Sequence, residues 1–299
     1  MKIGYPCINW TIGCKSNKTF RLKSYSENRL KTSINNNLKC LEKILRYNIK
    51  KNILFFRITS DLIPFASHPI CKFNWHDFFK KEFLRIGELI QKNDIRISMH
   101  PDQFIVLNSP NIDIVERSKK ELLYHAEILD LMNLDFTAKI QLHVGGAYKD
   151  KKTSIYRFIQ HYKELEPMIK KRLVIENDDR IYSLKDCLNI NQETGILVLF
   201  DVFHHSILNN GETTQNAVEI CTRLWSKKDG LLMLDYSSKK VGGKINSHAE
   251  SIDISNFKLF LEITKPYDFD IMLEIKDKEK SALKAISILE KDKRFIKIK

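Results

Sequence analysis

The sequence has no run of about 18 apolar residues, so no segment is long enough to cross a bilayer as a helix. Its opening, MKIGYPCINW, lacks the basic-then-apolar leader and small-residue cleavage site of a secreted chain, which makes the cytosol the expected location. No C-x-x-C pair occurs among Cys7, Cys14, Cys40, Cys71, Cys187 and Cys221, and this argues against structural zinc. A chain of 299 residues with 43% hydrophobic content can bury a core without covalent staples, so a disulfide framework is not expected either. There is no low-complexity tract, no Ser/Gly linker and no repeat of matching residues, and 1–299 reads as a single domain.

Charge, by contrast, is far from balanced. The formal net charge of +13 invites a polyanionic partner such as DNA or RNA. A genome rich in A and T would produce the same excess of Lys, Ile and Asn, so charge alone does not decide the matter. Something must show where it points.

Short β-prone runs lie at 2–9, 53–59, 95–100, 139–144, 173–177, 196–201, 231–236 and 270–275. Each is nearly continuous in apolar residues, as parallel strands covered on both faces require. Helical stripes separate them: Leu30, Ile34, Leu38, Leu41 and Leu45; Phe79, Phe83, Ile86 and Ile90; Leu122, Ala126, Leu129 and Met132; Ala217, Ile220 and Leu224. Ser183 with Asp186 resembles a capping box, and a last helix is predicted over about 280–291. Eight strands alternating with helices point to an α/β fold, a (β/α)₈ TIM barrel. An open doubly wound sheet is the competitor. It would usually carry a Gly-rich phosphate loop after its first strand, and TIGCK is a poor match.

In such barrels the interior is packed apolar and functional groups sit at the C-terminal strand ends. Here those ends carry Asn9, Arg57, His100, His143, Glu176, Asp201 with His204 and His205 just beyond, Asp235 with His248 in the following loop, and Glu274. One histidine or carboxylate at a strand end is ordinarily a hydrogen-bonded surface group. Successive strands all supplying one at the same end is a different matter. Unshielded carboxylates brought together would repel one another, and divalent cations remove that problem. His and carboxylate ligands without thiolate suit Zn²⁺ or Mn²⁺. Eight of them taken as candidate ligands, all but His205, are too many for one ion and enough for two or three. Ions about 3.5–4 Å apart are a recurring device of phosphodiester cleavage, and a basic rim would then hold a phosphate backbone. Metal-bearing sugar isomerases and epimerases share this architecture and remain an alternative, although a small sugar gives no reason for a basic rim.

Ordered motifs fill the chain: GYPCINWTIG (4–13), FFRITSDLIPFASHP (55–69), HPDQFIVLNSP (100–110), LHVGGAYKDK (142–151), LVIENDDRIYSLKDC (173–187), FDVFHH (200–205), LDYSS (234–238), SHAESID (247–253) and MLEIKDKE (272–279). In these, from about Lys2 to Glu290, the sequence resembles the ultraviolet damage endonuclease family, a barrel related to endonuclease IV. The resemblance implies a repair nuclease that nicks damaged duplex DNA immediately 5′ of the lesion. Products would be a 3′-hydroxyl and a 5′-phosphate, and abasic sites are a further candidate substrate. Mn²⁺ would be the usual metal, in two or three positions, with Zn²⁺ or Mg²⁺ as substitutes. It implies the metal ligands His100, His143, Glu176, Asp201, His204, His248 and Glu274, to which the strand-end reading adds Asp235. Catalysis would rest on His100, His143, Glu176, Asp201 and Glu274. Tyr5, Asn9 and His68 would lie near the lesion or scissile phosphate. Gln103 and Phe104 match the pair that family members push into the helix opposite damage, and an apolar ring driven into a kinked step is a known device. The expected partner is damaged double-stranded DNA, with no membrane and no organic cofactor, for a monomer in the cytoplasm or at the nucleoid. A DNA-damage-binding protein of weakened catalysis is a further alternative.

The sequence departs from the pattern in three places. Asp102 stands where many members have glycine, and Phe104 lacks the hydroxyl of a tyrosine. Met233 and Asp235 stand where better-known members have a lysine and a histidine; that lysine can form a metal-bridging carbamate, which methionine cannot imitate.

Overall fold

A computed structural model describes residues 1–297. Eight strands, β1 (Ile3–Pro6), β2 (Phe55–Ile58), β3 (Arg96–Met99), β4 (Lys139–His143), β5 (Leu173–Glu176), β6 (Leu197–Asp201), β7 (Leu232–Tyr236) and β8 (Phe269–Leu273), form one parallel sheet. Each pairs with the next in sequence, and β8 pairs with β1 to close a barrel. This is the (β/α)₈ TIM barrel that the alternation of strands and helices predicts.

Helices wrap it: α1 (Glu27–Lys50), α2 (Trp75–Phe78), α3 (Lys80–Lys92), α4 (Ile112–Leu131), α5 (Lys151–Lys163), α6 (Pro167–Arg172), α7 (Leu184–Thr194), α8 (Val202–Ile207), α9 (Thr214–Leu224), α10 (Ile254–Ile263) and α11 (Glu279–Leu289). In α1 the five leucines and isoleucines of the predicted stripe are all buried, and the Ser26 hydroxyl accepts the Arg29 N–H at its start. Such a cap stabilises a helix by about 1 kcal/mol. The Asp186 carboxylate reaches back to the Ser183 N–H (2.8 Å), as the capping box requires. One stripe is shifted. In α9 the buried residues are Ala217, Val218 and Cys221, while Ile220 is 39% exposed.

Period two along each strand sends alternate residues into the barrel. The expectation of an apolar interior needs correction, because only one layer is apolar: Phe55, Val174, Leu199, Met233 and Met272. Beneath it, ion pairs Arg96–Asp270 (3.1 Å) and Lys139–Asp229 (2.8 Å) close the floor. Above it, two residues further along the same strands, stand Arg57, Glu176, Asp201, Asp235 and Glu274. Gly4 is required at the β1–β2 contact, since a Cβ there would lie 2.1 Å from the Phe55 carbonyl oxygen.

No disulfide framework is expected, and one isolated bond is found. Cys14 and Cys40 are joined, tying the loop after β1 to α1. Cys7, Cys71, Cys187 and Cys221 are free thiols. No helix among the described residues is long and apolar enough to cross a membrane.

Candidate metal centre and nucleic-acid groove

Strand register builds the site. Pairing of β4 with β5 sets His143 beside Glu176, and pairing of β6 with β7 sets Asp201 beside Asp235. All have inward parity at the C-terminal end of the barrel. Asp201 also caps α8, accepting the His204 N–H at 2.7 Å, so one residue ends the strand and starts the helix that carries the next donor.

His100 Nε2 and His143 Nε2 both aim at Glu176 Oε1, at 3.0 and 3.1 Å. Three histidines are fixed through their other nitrogen. His100 Nδ1 donates to the Pro101 carbonyl (2.8 Å), His204 Nδ1 to the Asn177 carbonyl (3.0 Å) and His248 Nδ1 to the Glu274 carbonyl (2.7 Å). A carbonyl can only accept, so Nδ1 carries the hydrogen and Nε2 is left for a proton or a metal. Glu176 Oε1 is buried and has no hydrogen-bond donor of its own. Lone pairs of His100 Nε2 and Glu176 Oε1 facing each other at 3.0 Å require a proton or a cation between them.

Three sets of donor atoms lie close enough to share an ion: His100, His143 and Glu176; Glu176, Asp201 and His204; Asp201, Asp235 and Glu274. Glu176 belongs to the first two, and Asp201 to the last two. The donor chemistry therefore fits divalent cations. His248 reaches the mouth, with its ring 6.4 Å from that of His204, but stands outside these three sets.

Without cations, protons must balance the charge. Burial raises Glu176, yet His143 and His100 outweigh it and hold the carboxyl down at about 2. Asp201 goes the other way. Burial lifts it to about 7, with Glu274 and Glu176 adding repulsion against the pull of His204. Burial opposes a charge on His204, but Asp201, Glu176 and Glu274 hold its proton up to about 9. A raised acid beside a raised base means that the pair retains an extra proton near neutrality, one that a divalent cation would displace.

Asp235 is fully buried. Arg57 Nη2 donates to both of its oxygens (2.8 and 2.7 Å) and to Gln141 Oε1 (2.6 Å), while Nη1 donates to Glu274. Gln141 Nε2 in turn donates to Glu176 Oε2 (2.8 Å) and Asp235 Oδ2 (2.6 Å). Neither Gln141 nor Asn177 stands out in the sequence. Gln141 lies two residues before His143, so strand parity was the available clue.

A groove of 760 Å³ runs from His143 and His204 between the loops after β3, β4 and β5, lined by Gln103, Phe104, Arg117, Tyr148 and Arg180. The Ile105 N–H donates to the Asp102 carbonyl (2.9 Å), closing a turn with Gln103 and Phe104 at its tip. Phe104 is 75% exposed and is no core residue. The loop's ends are pinned by buried Pro101 and by the Val106 N–H on Ser118 Oγ (3.0 Å). His68 is exposed on the loop after β2.

Tyr5 and Asn9 are placed differently from the expectation. Gly4 faces the barrel interior, so Tyr5 turns outward to the helix layer, where its hydroxyl donates to Asn48 Oδ1 (2.6 Å) and accepts from Asn9 Nδ2 (2.7 Å). Both are buried and tie β1 to α1. His205 likewise turns into the core against Phe200.

The profile of the UV-endonuclease UvdE family matches residues 1–298. A UV DNA damage endonuclease of Clostridium perfringens is 41% identical over 97% of this chain and 71% of its own length. The crystal structure of SacUVDE superposes with a TM-score of 0.93 at 47% identity, covering 97% of this chain and 98% of that one. Endonuclease IV from Thermus thermophilus shares the fold alone, at a TM-score of 0.59 and 12% identity over 84% of this chain and 93% of its own. Whole-chain coverage and the shared barrel lead to one conclusion: this chain belongs to the UV-endonuclease UvdE family.

Proposed function

We propose that this protein nicks the backbone of ultraviolet-damaged duplex DNA immediately 5′ of the lesion, leaving 3′-hydroxyl and 5′-phosphate ends. The observation that carries the reading is the convergence of His100 and His143 on one bare oxygen of Glu176, at the end of a groove flanked by an exposed phenylalanine. His100, His143 and Glu176 would hold one divalent cation, and Glu176, Asp201 and His204 another. Imidazole and carboxylate donors without thiolate suit Mn²⁺ or Zn²⁺, and of these Mn²⁺ is the metal that the family resemblance implies. When bound, such ions supply Lewis acidity toward water and phosphoryl oxygens.

The protein's own side chains do the rest. The carbonyls of Pro101 and Asn177 fix the rings of His100 and His204, so donors are set before DNA arrives. Arg117 and Arg180 along the groove meet backbone phosphates. Gln103 and Phe104, on a turn with fixed ends, fill the gap left in a helix opened at damage.

Incubation with irradiated and intact duplexes, with and without Mn²⁺, tests the reading. Nicks confined to irradiated DNA and to reactions containing metal support it. Band shifts without cutting would indicate a damage-binding protein instead, and indifference to both duplexes would favour a sugar isomerase or epimerase.

A further inference from the structure

The three donor sets at the mouth are not equivalent. Two of them, His100–His143–Glu176 and Glu176–Asp201–His204, contain no ion pair to a lysine or arginine among the described residues. The third already contains a cation. Arg57 rises from β2 directly above Phe55 of the apolar layer, almost wholly buried. Its guanidinium bonds both oxygens of Asp235 and also Glu274, two of the three carboxylates in the set Asp201, Asp235 and Glu274.

We infer that Arg57 serves as a built-in cation that fills this third position, so that the chain loads two divalent ions and not three. The inference rests on the proposed metal-dependent function. Its physical basis is the guanidinium itself, which keeps its proton at any working pH and has donors in a rigid fork that matches a carboxylate. Gln141 Oε1 (2.6 Å) takes up a further donor, so the group is held on three sides by β4, β7 and the residue that follows β8. An incoming divalent ion would have to displace it from these carboxylates. Asp235 is thereby the partner of Arg57 and not a metal ligand. Met233, two residues earlier on β7, lies in the apolar layer and supplies no charge to the position. Arg57 is a positioning residue: it holds the Glu274 and Asp235 carboxylates in place while the two open sets take ions.

The test counts ions. Apo-protein is titrated with Mn²⁺ and the ions bound per folded chain are read by native mass spectrometry, with circular dichroism as the check on folding. The parent should take up two, Asp235→Asn should still take up two, and Glu176→Gln should lose at least one. Arg57→Met, if folded, should gain a third. Three ions in the parent would overturn the inference alone. Loss of an ion in Asp235→Asn, or a folded Arg57→Met that stays at two, would overturn it as well. If Arg57→Met does not fold, the counts for the parent and Asp235→Asn decide. A parent that binds no ion would overturn the metal-dependent reading and this inference with it.

Discussion

His100 Nε2 stands 3.0 Å from Glu176 Oε1 across the mouth of the barrel, two groups from different strands meeting acceptor to acceptor. Glu176→Gln replaces one carboxylate oxygen by an amide donor at almost constant volume. Nicking should fall by well more than the roughly 10- to 100-fold that an outer partner of a metal ligand costs. Thermal unfolding of the metal-free protein should change little. Near-parent turnover with unchanged metal content would remove Glu176 from the centre.

Gln141 is such an outer partner, donating to Glu176 and accepting from Arg57. Gln141→Leu should weaken metal affinity by roughly 10- to 100-fold while leaving the ion count at saturation unchanged. A titration calorimetry isotherm identical to the parent's would contradict this.

Replacing Gln103 and Phe104 together by alanine should leave metal binding intact and erode discrimination between damaged and intact DNA. Stacking of a base on an aromatic ring contributes about 1–3 kcal/mol, and that is the scale of the expected loss of preference. Competition binding reads it. A double variant that keeps its preference for irradiated DNA would exclude this turn as the probe.

Duplex binding should weaken steeply with salt, with a log–log slope of about 0.9 for each phosphate neutralised. Arg117→Ala and Arg180→Ala should each lower that slope by about one unit, because both side chains line the groove. Unchanged slopes would place the DNA elsewhere.

Acid stability depends on a residue outside the three candidate donor sets. His125 is buried on α4, with Nδ1 donating to the Glu121 carbonyl (2.7 Å) and Nε2 at 3.0 Å from Ser60 Oγ. Burial pulls its pKa down from 6.5 to about 4. Between those values the unfolded chain binds a proton that the folded chain refuses, so stability falls as pH drops through the window. The total is roughly 3 kcal/mol, at about 1.36 kcal/mol per pKa unit. Urea midpoints at pH 7 and pH 4.5 should therefore converge for parent and His125→Asn as pH falls. An equal separation at both would contradict the assignment.

Much of this was legible in the sequence, for an identifiable reason. A strand end in a parallel barrel is fixed in direction, so His100, His143, Glu176, Asp201 and Glu274 had to converge once the strands were found. Strand parity carries further information. Applied to β1 it turns Tyr5 outward, and applied to β4 it turns Gln141 in beside His143. The role of Arg57 could not be read this way, because its partners come from β4, β7 and the residue that follows β8 and meet only when the barrel closes. The Cys14–Cys40 bond was equally hidden, since a loop position and a helix position 26 residues apart make no motif.

The central claim is tested most directly by a duplex carrying one defined pyrimidine dimer, labelled on the damaged strand and incubated with purified protein and Mn²⁺. The account predicts a single product that ends in a 3′-hydroxyl immediately 5′ of the dimer, absent when a chelator is added. An uncut strand, or equal cutting of the undamaged control, would contradict it.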